Sequence, residues 1–479
     1  MEQPLAEKDK KQKLNPVRVP VRTLLPESRT HTFAEVVRGY SRDEAVAEAR
    51  RCLLCPKPKC VAACPIGQSV DDYIRAIQQG DFQTALSIIV RDNPFPRVCG
   101  RVCPAHCEAV CPNAKRGDAV AIRYLKRAAV ECVGDDYHFE RLSAPGGEHS
   151  PEPVEYPMAV IGAGPTGLSC AWRLRQLGHA VTLFEAEQEL GGMLRYGIPA
   201  FRLPRWAVDA DIQRILDLGM QVQTGMSLGT DFTLDDLFAQ GFAAVFLGIG
   251  ALKPKRMVIE GEPCRGLLHV LDFMQQVCSP NPRRLAGKRV AVVGGGFAAM
   301  DAVRSARRLG ADAFVIYRRD KAQMPASPEE VHHAEEEGVE FHFLTQPIKL
   351  LSDQRQRLRA IVCQRQRLGE PDASGRPRPV PVEDSKFVIA ADFLIEAVSQ
   401  EPDTAALAPA GIALSRWNTV VVDEQTQAAS RPGVFAGGDC VTGSLDVPRA
   451  IATGVRAAVA MDAYVRQQSV EINPHAQPE

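Results

Sequence analysis

The chain has 479 residues, 45% hydrophobic and 24% charged, with 57 Lys plus Arg against 58 Asp plus Glu. At roughly 150 residues per domain this is about three globular domains, and disordered or collagen-like classes are excluded. A formal net charge of −1 leaves no global basic field for nucleic acid or anionic lipid.

Met1 to Pro16 is polar and Lys-rich; without an apolar stretch it reads as no secretory signal. No uncharged apolar run reaches the ~18 residues of a membrane span. Residues 1–30 are expected to form an extended arm. Ser41-Arg-Asp-Glu44 is a capping box, opening a helix with Ala45, Val46 and Ala49 that delivers Cys52. Further helices are expected at 70–79, 81–91 and 118–131. Residues 31–140 thus read as a small helical domain.

Eight of the 14 cysteines lie between Cys52 and Cys111. One dense cluster in a long chain argues for metal ligands in a reducing, cytoplasmic compartment rather than a disulfide framework. The first group is Cys52, Cys55, Cys60 and Cys64; the second is Cys99, Cys103, Cys107 and Cys111. Cys55, Cys64, Cys103 and Cys111 each precede a Pro, as in 4Fe-4S ligation, where the ring ends a helix and fixes the loop. Two all-cysteine zinc sites are the rival reading; zinc ribbons rarely carry cysteines so dense with Cys-Pro endings.

After a Pro/Gly linker at 141–155, residues 157–184 read strand, glycine turn, helix, strand. Met158–Ile161 is apolar, and Gly162-Ala-Gly164-Pro165-Thr166-Gly167 is the turn. Leu168 to Leu177 is helical, Val181–Phe184 is a strand, and Glu185 closes it. This is a dinucleotide fingerprint in its required context: glycines admit the pyrophosphate, the helix start offers N–H groups, and Glu185 can accept from a ribose hydroxyl. Val245 to Gly250 and Ala391–Val398 read as strands where the chain crosses between nucleotide domains. The pattern repeats with strand Arg289–Val293, turn Gly294-Gly295-Gly296-Phe297-Ala298 and strand Ala313–Tyr317. Here Arg318-Arg319 replaces the acid. Guanidinium groups suit a 2′-phosphate, so NADPH is expected over NADH.

His332-His333 and Glu335-Glu336-Glu337 lack metal-ligand spacing and are expected on a solvated helix face. Val434–Ala436 reads as a buried strand ending in Gly437-Gly438-Asp439, followed by a helix from Pro448 to Val465. Gly438 would let a flavin approach, and Asp439 would bond its ribityl chain.

Together these features resemble the family of the small (beta) subunit of NADPH-dependent glutamate synthase. The family extends to the large subunit of NADH-dependent ferredoxin:NADP oxidoreductase and the N-terminal part of dihydropyrimidine dehydrogenase. The resemblance covers about residues 30–465. It rests on Cys-Gly-Arg-Val-Cys-Pro at 99–104, Gly-Gly-Met-Leu-Arg-Tyr-Gly-Ile-Pro-Ala-Phe-Arg-Leu-Pro at 191–204, 294–301, Tyr-Arg-Arg at 317–319 with Met324-Pro325, and Ala-Gly-Gly-Asp at 436–439.

The fold implied is α/β: an N-terminal helical iron–sulfur domain, then two Rossmann-like domains of the two-dinucleotide flavoprotein type, the second inserted in the first. FAD would be held by 156–280 and 390–470 and NADPH by 281–389, with 471–479 a tail. The 191–204 stretch, with Gly192 and Arg195, would lie along the flavin. Carried over, the family's two 4Fe-4S clusters would take Cys52, Cys55, Cys60 and Cys111, and Cys64, Cys103 and Cys107; Cys99 would be a buried thiol.

Three departures stand out. Lys126 occupies the place of a Glu or Gln ligand to the second cluster, which leaves that cluster an open site, another ligand such as His106 or Glu108, or loss. Cys103 and Cys107 are separated by a shorter loop than in several relatives. Phe297 replaces an Asp or Asn at the second turn.

The activity implied is electron input. NADPH reduces FAD, a step needing positioning more than acid–base help, and no Ser/His/Asp or paired-carboxylate set is evident. Electrons then pass through the clusters to a redox partner protein within a hetero- or homo-oligomer. That partner would be a glutamate synthase large subunit or, in a bifurcating complex, a small flavoprotein or ferredoxin. An electron-relay or scaffold subunit with an idle NADPH site is the third reading.

Overall fold

The computed structural model describes residues 15–135, 137, 155–261, 264–372 and 375–472. Residues 1–14 of the expected arm, 141–154 of the linker and 473–479 of the tail lie outside them. Two compact units divide the chain. The described residues of Met1–Arg22, Gly39–Arg101 and Ala105–Tyr137 form the first; those of Thr23–Arg38, Val102–Pro104 and His138–Glu479 form the second.

The first unit is helical, as expected. Its main helices are α1 (Arg42–Ala49), α2 (Val70–Gln78), α3 (Phe82–Asp92), α4 (Pro96–Val102) and α5 (Ile122–Val133). Both bonds of the Ser41–Glu44 capping box are present. α2 buries Val70, Tyr73, Ile74 and Ile77, and α3 buries Phe82, Leu86, Ile89 and Val90, the one-sided spacing that drives amphipathic helices together.

Two expectations differ here. Helix α5 starts at Ile122, not at 118, because the preceding backbone is claimed by a buried ion pair. Arg51 donates to Glu48 at 2.6 Å and to the carbonyls of Asp118 and Ala119 at 2.6 and 3.2 Å. Glu48 also accepts the Ala121 N–H at 2.8 Å. The same pair fixes the arm, since Arg51 donates to Pro16 O at 3.0 Å and Glu48 accepts Val19 N–H at 2.8 Å. Further on, Pro26–Arg29 is a short helix, so the arm is not extended throughout.

The second unit is built on two parallel sheets. The first has strands β1 (Pro157–Ile161), β2 (Ala180–Glu185), β3 (Gln221–Thr224), β4 (Ala244–Leu247) and, last in the chain, β13 (Val434–Ala436). Their order is β13-β4-β1-β2-β3, all pairs parallel. Between β4 and β13 the chain makes the second sheet from β5 (Leu267–His269), β6 (Arg289–Val293), β7 (Asp312–Ile316), β8 (Glu340–His342) and β12 (Phe393–Glu396). Its order is β8-β7-β6-β12-β5, again parallel.

The run from β9 (Thr345–Ser352) through β10 (Leu358–Pro371) to β11 (Pro377–Ala390) is a three-stranded antiparallel sheet. It covers one face of the second sheet through Leu350, Ile361 and Cys363, packed on Ala291, Phe314 and Ile316. The other face, Val290, Val292 and Val315, is covered by helix α8 (Phe297–Arg308) through Ala299, Val303 and Ala306. Helix α6 (Pro165–Gln176) follows β1 and α7 (Arg205–Leu216) precedes β3. Helix α9 (Pro328–Glu336) precedes β8, and α10 (Val447–Ile472) ends the described chain and packs along α6. Among the described residues no helix is long and apolar enough to cross a membrane.

Candidate functional site

Cys52, Cys60, Cys107 and Cys111 of the first unit lie in or beside helices. Cys52 leaves α1 with its N–H on Ala49 O at 2.9 Å, and Cys111 follows the one-turn helix His106–Ala109. Cys60 lies in the one-turn helix Lys59–Ala62, which packs against His106–Ala109. Leu54, between Cys52 and Cys55, has φ of +45°, and Ala105, between Cys103 and Cys107, has φ of +60°. Both turns thus hold a side chain in the left-handed region, where strain marks sites fixed by function or surroundings.

Burial first, then the neighbouring Cys111 and Cys55, raises the Cys52 thiol, which the Leu54 N–H faces. Burial and Cys52 push the Cys60 thiol up to about 11, against the N–H groups of Val61 and Cys60 itself. Cys52 therefore lies within electrostatic reach of Cys55, Cys60 and Cys111, and backbone N–H groups face the partly buried thiols of Cys52 and Cys60. That donor set suits thiolate ligation of an iron–sulfur cage. Among the described residues no three His, Cys, Asp or Glu are grouped closely enough to hold a metal ion.

Cys64 follows the one-turn helix Lys59–Ala62, Cys107 lies in the one-turn helix His106–Ala109, and Cys103 is buried just after α4. Cys99 is buried with its thiol on Asn93 Oδ1 at 3.8 Å. Glu108 is engaged: Arg18 donates to it at 2.8 Å and the Arg123 N–H at 2.9 Å. Lys126 is buried on α5, not on the solvated helix face such a lysine usually takes.

In the second unit the turn after β1 starts α6. A Cβ on Gly162 would meet Gly248 O at 2.5 Å, and one on Gly167 would meet Gly162 O at 1.8 Å. These two glycines close the turn on itself and on β4. Gly164 is different: nothing lies within 4 Å of its Cβ position, so a cradle is open before the N-terminus of α6, whose first residues are Pro165 and Thr166.

Elements far apart in sequence converge there. Gly192 approaches Gly164, its Cβ position 3.0 Å from the Gly164 Cα, and that of Gly438 is 2.2 Å from Thr166 Oγ1. The Gly438 N–H donates to Thr453 Oγ1 at 2.9 Å, a support from α10 that sequence reasoning missed. Only the pairing of α6 with α10 could have signalled it.

Glu185 is buried at the end of β2 and accepts from Ala163 N–H at 2.7 Å and Glu187 N–H at 2.9 Å. Burial, with the nearby Glu187, raises its pKa against the pull of the N–H groups of Glu187, Ala163 and Ala186. Its first duty is to hold the glycine turn, and a ribose hydroxyl would be an added donor. Asp439 is pushed up to about 6 by burial, opposed by the Leu445 N–H and reinforced by Asp446. Arg195, expected along the flavin, is turned to Asp209 and to Leu190 O at 2.7 Å.

The second turn repeats the design. A Cβ on Gly294 would meet Ala397 O at 2.3 Å and one on Gly295 the Tyr317 ring at 2.6 Å, whereas Gly296 has nothing within 4 Å. Phe297 opens α8 with its ring 5.5 Å from the Arg202 guanidinium, and Ala298 is exposed. Arg318 is exposed, but Arg319 is buried. It donates to Pro377 O at 2.7 Å and Asp372 at 2.8 Å. Of the two arginines expected to meet a 2′-phosphate, Arg318 alone is exposed, because the β10–β11 hairpin claims Arg319.

The helix α9 acids are also corrected. Glu336 pairs with Arg29 at 2.7 Å, and Glu337 is buried between Arg304 and Arg308 at 2.8 and 2.6 Å. His332, Glu335 and Glu336 are exposed, as expected of this face, whereas His333 and Glu337 are buried.

The family model for "dihydropyrimidine dehydrogenase domain II, 4Fe-4S cluster" matches residues 29–136, and that for "pyridine nucleotide-disulphide oxidoreductase" matches 156–458. The NADP(+)-dependent formate dehydrogenase subunit beta of Moorella thermoacetica is 39% identical over 431 residues, covering 85% of this chain and 60% of that protein. The chain thus spans less than two thirds of that relative. The glutamate synthase (NADPH) small chain of Escherichia coli (strain K12) is 34% identical over 467 residues, covering 93% of this chain and 96% of that one. Among solved structures, Mycobacterium tuberculosis FprA in complex with NADPH aligns with a TM-score of 0.56 at 16% identity, covering 68% of this chain and 87% of that one, a likeness of fold. Thiol-bearing helical turns followed by two open glycine turns on parallel sheets agree with these matches. The chain belongs to the family of the NADPH-dependent glutamate synthase small chain, in which an iron–sulfur domain accompanies a pyridine nucleotide-disulphide oxidoreductase fold.

Proposed function

We propose that the chain is an electron-input subunit that takes hydride from NADPH onto FAD and passes electrons through iron–sulfur clusters to a partner protein. The observation that carries this reading is the pair of open glycines, Gly164 and Gly296, each before a helix N-terminus in one unit. Such a place accepts a pyrophosphate without a side chain in the way. Bound at the first turn, a flavin supplies two-electron exchange with a nicotinamide and one-electron exchange with iron–sulfur clusters.

On this reading Gly162, Gly164, Pro165, Thr166 and Gly167 hold the FAD pyrophosphate. Glu185 takes its ribose, and Gly192, Arg195, Gly438 and Asp439 border the flavin. Residues 156–280 and 390–470 are the FAD domain and 281–389 the NADPH domain. There Gly294, Gly296, Phe297 and Ala298 receive NADPH, and Arg318 offers its exposed charge to the 2′-phosphate. No side chain need supply a proton; the chain's work would be to bind and orient the two groups and to exclude water.

Cys52, Cys55, Cys60 and Cys111 ligate one 4Fe-4S cluster, and Cys64, Cys103 and Cys107 a second. With Glu108 engaged by Arg18, the second cluster keeps an open iron. The setting is cytoplasmic, and the acceptor is a partner resembling the glutamate synthase large subunit or a small flavoprotein or ferredoxin. The test is flavin and iron analysis of the anaerobically purified chain, with NADPH-dependent reduction of an artificial dye. Flavin, iron and dye reduction together support the reading, and a chain that takes up no flavin overturns it.

A further inference from the structure

The 191–204 stretch touches both glycine turns. At one end Gly191 N–H donates to Ala163 O at 2.8 Å and Gly192 packs on Gly164. At the other end lie Phe201 and Arg202, wedged between α8 and α9. The Phe201 ring, fully buried, is clasped by the guanidinium groups of Arg304 and Arg308, 4.8 and 3.8 Å from its centroid. Arg202 donates through Nη1 to both oxygens of Asp301, at 2.9 and 2.8 Å, and its Nε lies 3.0 Å from Glu330. Its guanidinium also sits 5.5 Å from the Phe297 ring. Phe297 is the first residue of α8 and Asp301 stands one turn further on, so Arg202 grips the end of the helix that faces the second turn.

These contacts join a loop lying on one nucleotide site to the helix that opens the other. The grip is buried: Arg202 and Asp301 side chains are 8% and 5% exposed, and Glu330 is held in turn by Arg304 at 2.5 Å. Burial pushes Asp301 up to about 6 against the pull of Arg202, so its charge is sustained mainly by that one partner.

We propose that Arg202, paired with Asp301, is a positioning residue that couples nucleotide binding at Gly294–Phe297 to the environment of the flavin at Gly162–Gly167 through the 191–204 stretch. This rests on the FAD and NADPH assignments above. A ligand that shifts the first turn of α8 moves Asp301, Arg202 follows through its two-point bond, and the loop carries the shift to Gly192. A packed buried element answers such a shift as a unit.

The test uses the flavin-loaded full chain as wild type, as Arg202→Lys and as the paired neutral variant Arg202→Met/Asp301→Asn, which leaves no buried charge of this couple unmatched. NADP+ is titrated by calorimetry for binding and by visible difference spectroscopy for the flavin. In the wild type NADP+ perturbs the flavin spectrum. In the variants we expect NADP+ binding within about threefold of wild type, a difference spectrum reduced by roughly half or more, and flavin reduction by NADPH slowed about tenfold with KM little changed.

A full difference spectrum and wild-type reduction rate in either folded variant overturns the proposal. Loss of fold in both variants makes the pair merely structural and also overturns it. A wild-type flavin that ignores bound NADP+ defeats this inference alone, whereas a wild-type chain without flavin defeats the reading beneath it.

Discussion

Gly164→Ala separates the two jobs that glycines do in the first turn. Its backbone, φ −76° and ψ −178°, is extended and open to any residue, and the added methyl meets no heavy atom within 4 Å. The flavin-free protein should therefore fold normally and gain about 0.4–1 kcal/mol from the smaller freedom of its unfolded chain. The methyl does fill the cradle that the pyrophosphate needs. Pushing a phosphate back by a methyl radius weakens one or two charge-assisted hydrogen bonds worth about 1.5–3 kcal/mol each. FAD affinity should fall about 10- to 100-fold. Gly167→Ala is the contrast: its Cβ would sit 1.8 Å from Gly162 O, so the flavin-free fold itself should fail. The assay is thermal melting of the flavin-free proteins and fluorescence titration with FAD. An unchanged FAD Kd in Gly164→Ala, or a collapsed melting temperature, would refute the reasoning.

Glu337→Gln should destabilise the second unit by about 3–5 kcal/mol, because it strips two buried guanidinium groups of their shared carboxylate; chemical denaturation measures it. Arg308 and Arg304 hold the Glu337 carboxyl at about 2, below its usual 4.5. Its share of stability, about 3 kcal/mol, is thus present above pH 4.5 and lost as the pH falls toward 2. Asp301, raised from 3.8 to about 6 by burial, contributes with opposite sign, its share declining as the pH climbs through that interval, so Asp301→Asn should flatten the pH dependence there. Cys60→Ser should remove roughly half of the iron per chain while flavin stays bound, if two cubanes are held; a colorimetric iron assay reads the outcome. Arg318→Ala should raise the KM for NADPH about tenfold with no change for NADH, whereas Arg319→Ala, which cuts the bonds to Pro377 and Asp372, should lower the melting temperature instead.

What was legible in the sequence was what local pattern decides. The strand expected at Arg289–Val293 is present with those bounds, since an apolar run ended by glycines admits little else. The capping box at Ser41 formed as expected, and the alternation of strand and helix implied two parallel sheets. Long-range partners were not legible. Helix α5 lost its first turn to Arg51 and Glu48, residues some 70 positions away. Arg318 and Arg319 are neighbours with opposite fates, decided by a hairpin whose long, mixed strands Leu358–Pro371 and Pro377–Ala390 bury only part of each face and show no clean alternation. Glu337 reads as one of three surface acids until Arg304 and Arg308, on another helix, enclose it. At the site, glycines and cysteines were readable because chemistry restricts those residue types. The grip of Arg202 on Asp301 joins two stretches noticed separately in the sequence, and only the fold brings them together.

The central claim is that a nicotinamide reduces a flavin held at Gly162–Gly167. Its most direct measurement is anaerobic titration of the flavin- and iron-loaded chain with NADPH, followed in the visible spectrum. Bleaching of the flavin bands at about one NADPH per flavin is the predicted result. A chain with its full flavin and iron whose spectrum stays oxidised under excess NADPH would contradict it.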